Sequence, residues 1–208
     1  MIKAIIFDYD GVIVDSFESL FKAYQKICKF FKVNCPTDMN NFRKIYGYNY
    51  IECFNNLGIQ EKDFSKANEI YKNEMSVMKH RLFPGIAEVI NELSKRYKLY
   101  LVSASFSQEI LPRLKAHNLS KPFERIYCGA DKKVRKSEII NSILDKYNYL
   151  PSEVISIGDR AIDYDVAKKV GLKDENIILV TYGWGLDRSR IGNSNVVDNP
   201  GDILNIFK

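Results

Sequence analysis

The chain has 208 residues and a formal net charge of +5, with 46% hydrophobic and 27% charged residues. That balance belongs to a soluble globular chain long enough to bury a sizeable core, as one large domain or two small ones. Its basic residues are spread out instead of forming an arm, so nucleic acid is not implied as a partner; the weak positive field would attract anionic small molecules but reads first as an ordinary solvated surface.

The first element is predicted over Lys3-Ala4-Ile5-Ile6-Phe7, whose continuous apolar character is that of a parallel strand covered on both faces. Asp8 and Asp10 follow at its carboxyl end, where open α/β sheets place their ligand crevice. On extended backbone residues two apart share a side, so both carboxylates are expected to point the same way and to need a counterion. A hard divalent cation such as Mg²⁺, which takes oxygen ligands, is the economical choice. Gly11 lets the backbone turn or approach a ligand closely.

After Ser16 the apolar period becomes helical. Phe17, Leu20, Phe21, Tyr24, Ile27, Cys28 and Phe31 describe one amphipathic helix that ends near Asn34-Cys35-Pro36. Thr37 or Asp38 is expected to cap a second through Ile45. A third is predicted from about Tyr48 to Leu57, before Gly58, and a fourth from about Phe64 to Lys79, so residues 15–83 read as an all-helical insertion closed by Pro84-Gly85. Tyr46 to Tyr50 are expected in its core.

Strands and helices then alternate. Helices are predicted at Ile86–Lys95, Gln108–His117, Ser137–Tyr147, Ile162–Val170 and Ile203–Phe207, and strands at Leu99–Val102, Arg125–Tyr127, Val154–Ile157 and Ile177–Val180. This alternation implies a doubly wound parallel sheet with helices on both faces, an α/β core made of residues 1–14 and 84–208. The cysteines Cys28, Cys35, Cys53 and Cys128 lack C-x-x-C spacing and a neighbouring His cluster, which predicts reduced thiols in a cytoplasmic protein. No segment approaches the roughly 20 apolar residues of a membrane span, and the acids at 8 and 10 interrupt the first apolar run before it reaches signal-peptide length.

The segment Asp8-Tyr9-Asp10-Gly11-Val12-Ile13-Val14-Asp15-Ser16 resembles the opening motif of the haloacid dehalogenase-like hydrolases, a superfamily dominated by phosphatases. The branch it is most similar to contains phosphoglycolate phosphatases and beta-phosphoglucomutases and carries a helical cap on a Rossmann-like core. Three further strand ends match the family's order. Ser103, with the amides of Ser103 and Ala104, resembles the second motif, which holds the transferring phosphoryl group. Lys136 resembles the third, a lysine that neutralises nucleophile and phosphoryl group; Lys132 and Lys133 lie close by, and Lys136 is preferred because it directly precedes a helix with Ile139, Ile140, Ile143 and Leu144 on its packing face. Gly158-Asp159 with Asp163 resembles the fourth, Gly-Asp-x-x-x-Asp.

The resemblance implies a Mg²⁺-dependent phosphatase acting on a small phosphorylated metabolite, as a monomer or homodimer. Asp8 would be the nucleophile and Asp10 the acid and base. Mg²⁺ would be held by Asp8, the Asp10 backbone carbonyl and Asp159, with Asp163 holding a metal-bound water or supporting the loop. Residues 15–83 would be the cap, in which Arg43, Lys44 and Tyr48 are candidates for substrate contact. The nearest rival is a phosphomutase, but its cap His and post-motif Lys are replaced here by Leu20 and Phe106. A receiver-like signalling module is disfavoured because its phosphoacceptor ends the third strand. Both histidines, His80 and His117, are expected at the surface, and Trp184 is expected to pack or anchor a loop.

Overall fold

The computed structural model describes residues 1–47 and 50–207. Its strands among these are β1 (Ala4–Phe7), β2 (Val14–Asp15), β3 (Arg81–Leu82), β4 (Lys98–Ser103), β5 (Phe123–Cys128), β6 (Val154–Gly158), β7 (Ile177–Val180) and β8 (Asn195–Val197). The helices are α1 (Phe17–Phe31), α2 (Met39–Ile45), α3 (Tyr50–Asn56), α4 (Phe64–Val77), α5 (Ile86–Ser94), α6 (Ser107–Ala116), α7 (Gly129–Lys132), α8 (Lys136–Tyr147) and α9 (Ala161–Lys169). The chain divides into two compact units, Met1–Asp15 with Arg81–Lys208, and Ser16–His80.

The first unit is built on a six-stranded sheet in the order β5-β4-β1-β6-β7-β8, with every pairing parallel. From β1 the chain builds outward through β4 and β5, then returns to place β6 on the other side of β1. That reversal opens a crevice beyond the carboxyl ends of β1 and β6. Phe7 lies level with Leu101 of β4 and Ile157 of β6, so the residues that follow these strands emerge side by side.

The apolar run of β1 is explained by burial on both faces. Ile5 and Phe7 pack with Ile86, Val89, Ile90 and Leu93 of α5 and Ile110 and Leu114 of α6. Ala4 and Ile6 pack with Ile139, Ile140 and Ile143 of α8 and Ala167 of α9. No helix among the described residues is long and apolar enough to cross a membrane.

The second unit is all-helical. In α1 the residues at helical spacing, from Phe17 to Cys28, are buried, and Lys32 ends the helix in the left-handed conformation at φ 54°. Asp38 caps α2 by accepting from the Asn41 amide at 2.9 Å. The core of the unit is aromatic: Tyr24 packs against Phe42, Tyr46, Phe54 and Tyr71, and Tyr50 against Phe54 and Tyr71. Phe42 is fully buried, and truncation to Ala would cost about 3–5 kcal/mol.

Four features depart from the sequence expectations. The insertion is bounded by a short antiparallel pair, Val14 with Leu82 and Asp15 with Arg81, so residues 81–83 belong to the sheet unit. His80 is buried, not at the surface, whereas His117 is exposed. The last helix is a 3-10 segment, Pro200–Phe207. The edge strand β8 and the short α7 were not anticipated, because three or four residues carry too little periodicity to read.

Candidate active site

The sheet alternation that puts Ile6 on the α8 side puts Asp8 there too. Lys136, the first residue of α8, donates from Nζ to Asp8 Oδ2 at 2.6 Å and to Asp163 Oδ1 at 2.9 Å. Asp8 Oδ1 accepts the Tyr9 amide at 2.7 Å. Asp163 lies in the first turn of α9, where its Oδ2 accepts from the amides of Asp159 at 3.3 Å and Arg160 at 3.2 Å, satisfying donors at the helix start. Its carboxylate thus orients Lys136 on one side and the loop after β6 on the other.

Asp159, at the end of β6, is 1% exposed. Its Oδ2 accepts the Trp184 amide at 2.6 Å, and Oδ1 is buried with no hydrogen-bond donor among the described residues. Backbone crowds this carboxylate. A Cβ on Gly11, where φ is +79°, would lie 1.9 Å from Asp159 Oδ2, and one on Gly183 would lie 2.5 Å from the same oxygen and 2.3 Å from the Gly11 carbonyl. The loops after β1, β6 and β7 therefore converge only because glycine occupies two of them.

Charge in this cluster is unbalanced. Burial pushes Asp8 up to about 7, against the pull of Lys136 and with further push from Asp163 and Asp10. Burial, then Asp163 and Asp8, hold Asp159 well above the ordinary carboxylate range. For Lys136 burial works against the charge, but Asp163 and Asp8 outweigh it and hold the ammonium above its usual range. Asp8, Asp159 and Asp163 offer carboxylate oxygens within 4.8 Å of one another. An all-oxygen set with one buried, undonated oxygen on Asp159 fits a hard divalent cation such as Mg²⁺.

The Asp10 carboxylate stands outside this set and accepts from Ser105 Oγ at 2.7 Å. Strand alternation does not set its direction, because β1 ends at Phe7 and the chain turns: the Ile13 and Val14 amides both return to the Tyr9 carbonyl. Ser103, buried at the end of β4, accepts the Ser105 amide on Oγ at 3.0 Å.

Residues 5–175 match the model of the haloacid dehalogenase-like hydrolase family. The chain belongs to the haloacid dehalogenase-like hydrolases. It is 27% identical over 216 residues to a phosphorylated carbohydrates phosphatase from Thermotoga maritima, an alignment covering 99% of this chain and 98% of that protein. It is 22% identical to a phosphoglycolate phosphatase from Synechococcus elongatus, across 97% and 95% of the two chains. The solved structure of a haloacid dehalogenase-like family hydrolase from Streptococcus pneumoniae matches with a TM-score of 0.84 at 24% identity, covering 100% of this chain and 99% of that one.

Within this hydrolase, the structure brings Asp8, Lys136, Asp159 and Asp163 into one hydrogen-bonded cluster and joins Asp10 to Ser103 through Ser105. Ala104 is half-buried beside them, while Lys132 and Lys133 are exposed. Arg43 and Lys44 belong to the helical unit, both exposed; the Arg43 guanidinium lies 4.5 Å over the Phe17 ring and donates to Asn40 at 2.8 Å. Tyr48 lies outside the described residues. Three contributors went unread in the sequence: Ser105, Gly183 and the amide of Trp184. Ser105 had a trace in the Ser-Ala-Ser run past β4, and Gly183 in the glycines flanking Trp184.

Proposed function

We propose that this hydrolase is a Mg²⁺-dependent phosphatase that cleaves a small organic phosphate monoester through an aspartyl-phosphate. The observation that carries the reading is the Lys136 bridge between Asp8 and Asp163, set beside an Asp159 oxygen that lacks a donor, at the crevice beyond the carboxyl ends of β1 and β6. The names of two full-length relatives, one a phosphatase of phosphorylated carbohydrates and the other of phosphoglycolate, support the reaction class.

Asp8 attacks phosphorus: a bond forms between its carboxylate oxygen and phosphorus as the ester P–O bond breaks, and Asp10 gives its proton to the departing alkoxide. Water then attacks the same phosphorus while Asp10 takes up its proton, which breaks the Asp8 O–P bond and releases phosphate. Lys136 and Ser103 stabilise charge on the phosphoryl oxygens. Mg²⁺ would be held by Asp8, Asp159 and the Asp10 backbone carbonyl, with Asp163 in support, and would supply positive charge against the phosphoryl oxygens. The helical unit is assigned the role of the family's cap, the part that selects the ester.

The test is a screen of phosphate monoesters, including phosphoglycolate, hexose phosphates and nucleoside monophosphates, with pyrophosphate as control, measuring substrate and free phosphate together with Mg²⁺ present. Phosphate is expected to accumulate in proportion to substrate consumed, and Asp8→Asn to abolish its release. Isomerised hexose phosphate with little free phosphate would replace the phosphatase by a mutase.

A further inference from the structure

We infer that Ser105 is a positioning residue for Asp10, and that it decides which Asp10 oxygen carries the transferable proton. The inference rests on the phosphatase reading above. Asp10 sits on a turn beyond β1, half-buried, so its carboxylate direction is not imposed by strand geometry. Ser105 Oγ donates to Asp10 Oδ2 at 2.7 Å from 95 residues further along the chain. Ser105 is itself pinned, because its amide donates to Ser103 Oγ at 3.0 Å. The side chain assigned to hold the phosphoryl group and the carboxyl assigned to move protons are therefore joined by two hydrogen bonds through one residue.

A carboxyl group has two oxygens, and its proton must face the ester oxygen to be transferred. A hydroxyl that donates to Oδ2 stabilises negative charge on that atom, so the transferable proton belongs to Oδ1. In the first half-reaction the Oδ1–H bond breaks and the proton passes to the ester oxygen as P–O cleaves and the Asp8–phosphorus bond forms. In the second, Oδ1 takes a proton from the attacking water as the Asp8–phosphorus bond breaks. Ser105 keeps its own proton throughout, which is why it positions and does not itself react.

An acid held in the wrong direction harms poor leaving groups more than good ones, because a nitrophenolate departs without a proton and an alkoxide does not. The experiment measures kcat/KM, which reports formation of the aspartyl-phosphate, with Mg²⁺ for 4-nitrophenyl phosphate, phenyl phosphate and the alkyl monoester that the wild type hydrolyses fastest. Since general acid catalysis contributes about 10²–10⁴-fold, Ser105→Ala is expected to lose about 10-fold or more on the alkyl ester and under about 3-fold on the nitrophenyl ester. Inhibition by inorganic phosphate should be unchanged, and Ser105→Thr, which keeps the hydroxyl, should restore the alkyl ester. Should Ser105→Ala misfold, Ser105→Cys, a weak donor of similar size, takes its place.

Equal losses across the leaving groups, weakened phosphate inhibition, or no loss at all would overturn the positioning role. Wild-type turnover by Asp8→Asn would instead overturn the phosphatase reading itself, whatever Ser105 does.

Discussion

The Trp184 amide donates to Asp159 Oδ2 at 2.6 Å, so a backbone group from the loop after β7 holds a carboxylate from the end of β6. The bond leaves Asp159 Oδ1 as the oxygen available to a cation. It also depends on how close the loop comes, which Gly183 permits.

Gly183→Ala tests that approach. Its Cβ would meet the Gly11 carbonyl at 2.3 Å and Asp159 Cβ at 2.5 Å, neither of which is the far end of a flexible chain. The loop must back away, at an overpacking cost of about 1–3 kcal/mol. A thermal melt with and without Mg²⁺ should show a lower melting temperature and a reduced Mg²⁺-induced rise. An unchanged rise would mean that Asp159 does not need the loop.

Asp159→Ala separates the metal from the fold. The wild-type cluster holds three carboxylates against one lysine, and removing one relieves repulsion between buried acids. In EDTA that relief is set against a Trp184 amide left without its acceptor, so the variant's own metal-free melting temperature is the baseline for the metal effect. With Mg²⁺ it should lose most of the stabilisation that the wild type gains, which is about 2.7 kcal/mol at a ligand concentration of 100 Kd. Full retention of the rise would move the metal elsewhere.

Lys136→Met removes the cation shared by Asp8 and Asp163, whose side chains are 10% and 7% exposed. Breaking a buried pair by deleting one partner typically costs about 3–5 kcal/mol, so the variant should melt well below the wild type in EDTA. Phosphate release should fall by about 10²–10³-fold, the scale of losing a positioned charge stabiliser. Kinetics at wild-type level would remove Lys136 from the reaction.

The sheet was legible because β1 is buried on both faces and its apolar run says so; the helical unit was legible because α1 places its buried residues at helical spacing. Motif order pointed to Asp8, Ser103 and Asp159 at or just past the ends of β1, β4 and β6, which share one edge of a parallel sheet, and to Lys136 at the start of α8; of these the structure gathers Asp8, Lys136 and Asp159 in one cluster. What stayed hidden has a common cause. The Trp184 bond is made by a backbone amide, which every residue but proline possesses, and the Ser105–Asp10 bond joins positions 95 apart on two turns with no periodicity. The β2–β3 pair has two residues per strand, too few for a pattern. His80 was expected to be exposed because it follows a predicted helix end, but it is buried, since position at a helix end does not say what packs on the side chain.

The charge imbalance at Asp8 predicts a pH dependence of the metal-free protein. Burial raises Asp8 from 3.8 to about 7, so between those values the folded state holds a proton that the unfolded chain has released. Stability therefore falls as pH rises through this window: Asp8 contributes fully below pH 3.8 and has lost its contribution above about 7. Asp159, also raised by burial, acts in the same direction. In EDTA the wild-type melting temperature should decline from pH 5 to 8, and Asp8→Asn should decline less because one of the two titrating acids is gone. Mg²⁺ competes with these protons, so its stabilising effect should grow over the same range. Parallel curves for wild type and Asp8→Asn would mean that Asp8 is already ionised at pH 5, with Lys136 outweighing burial.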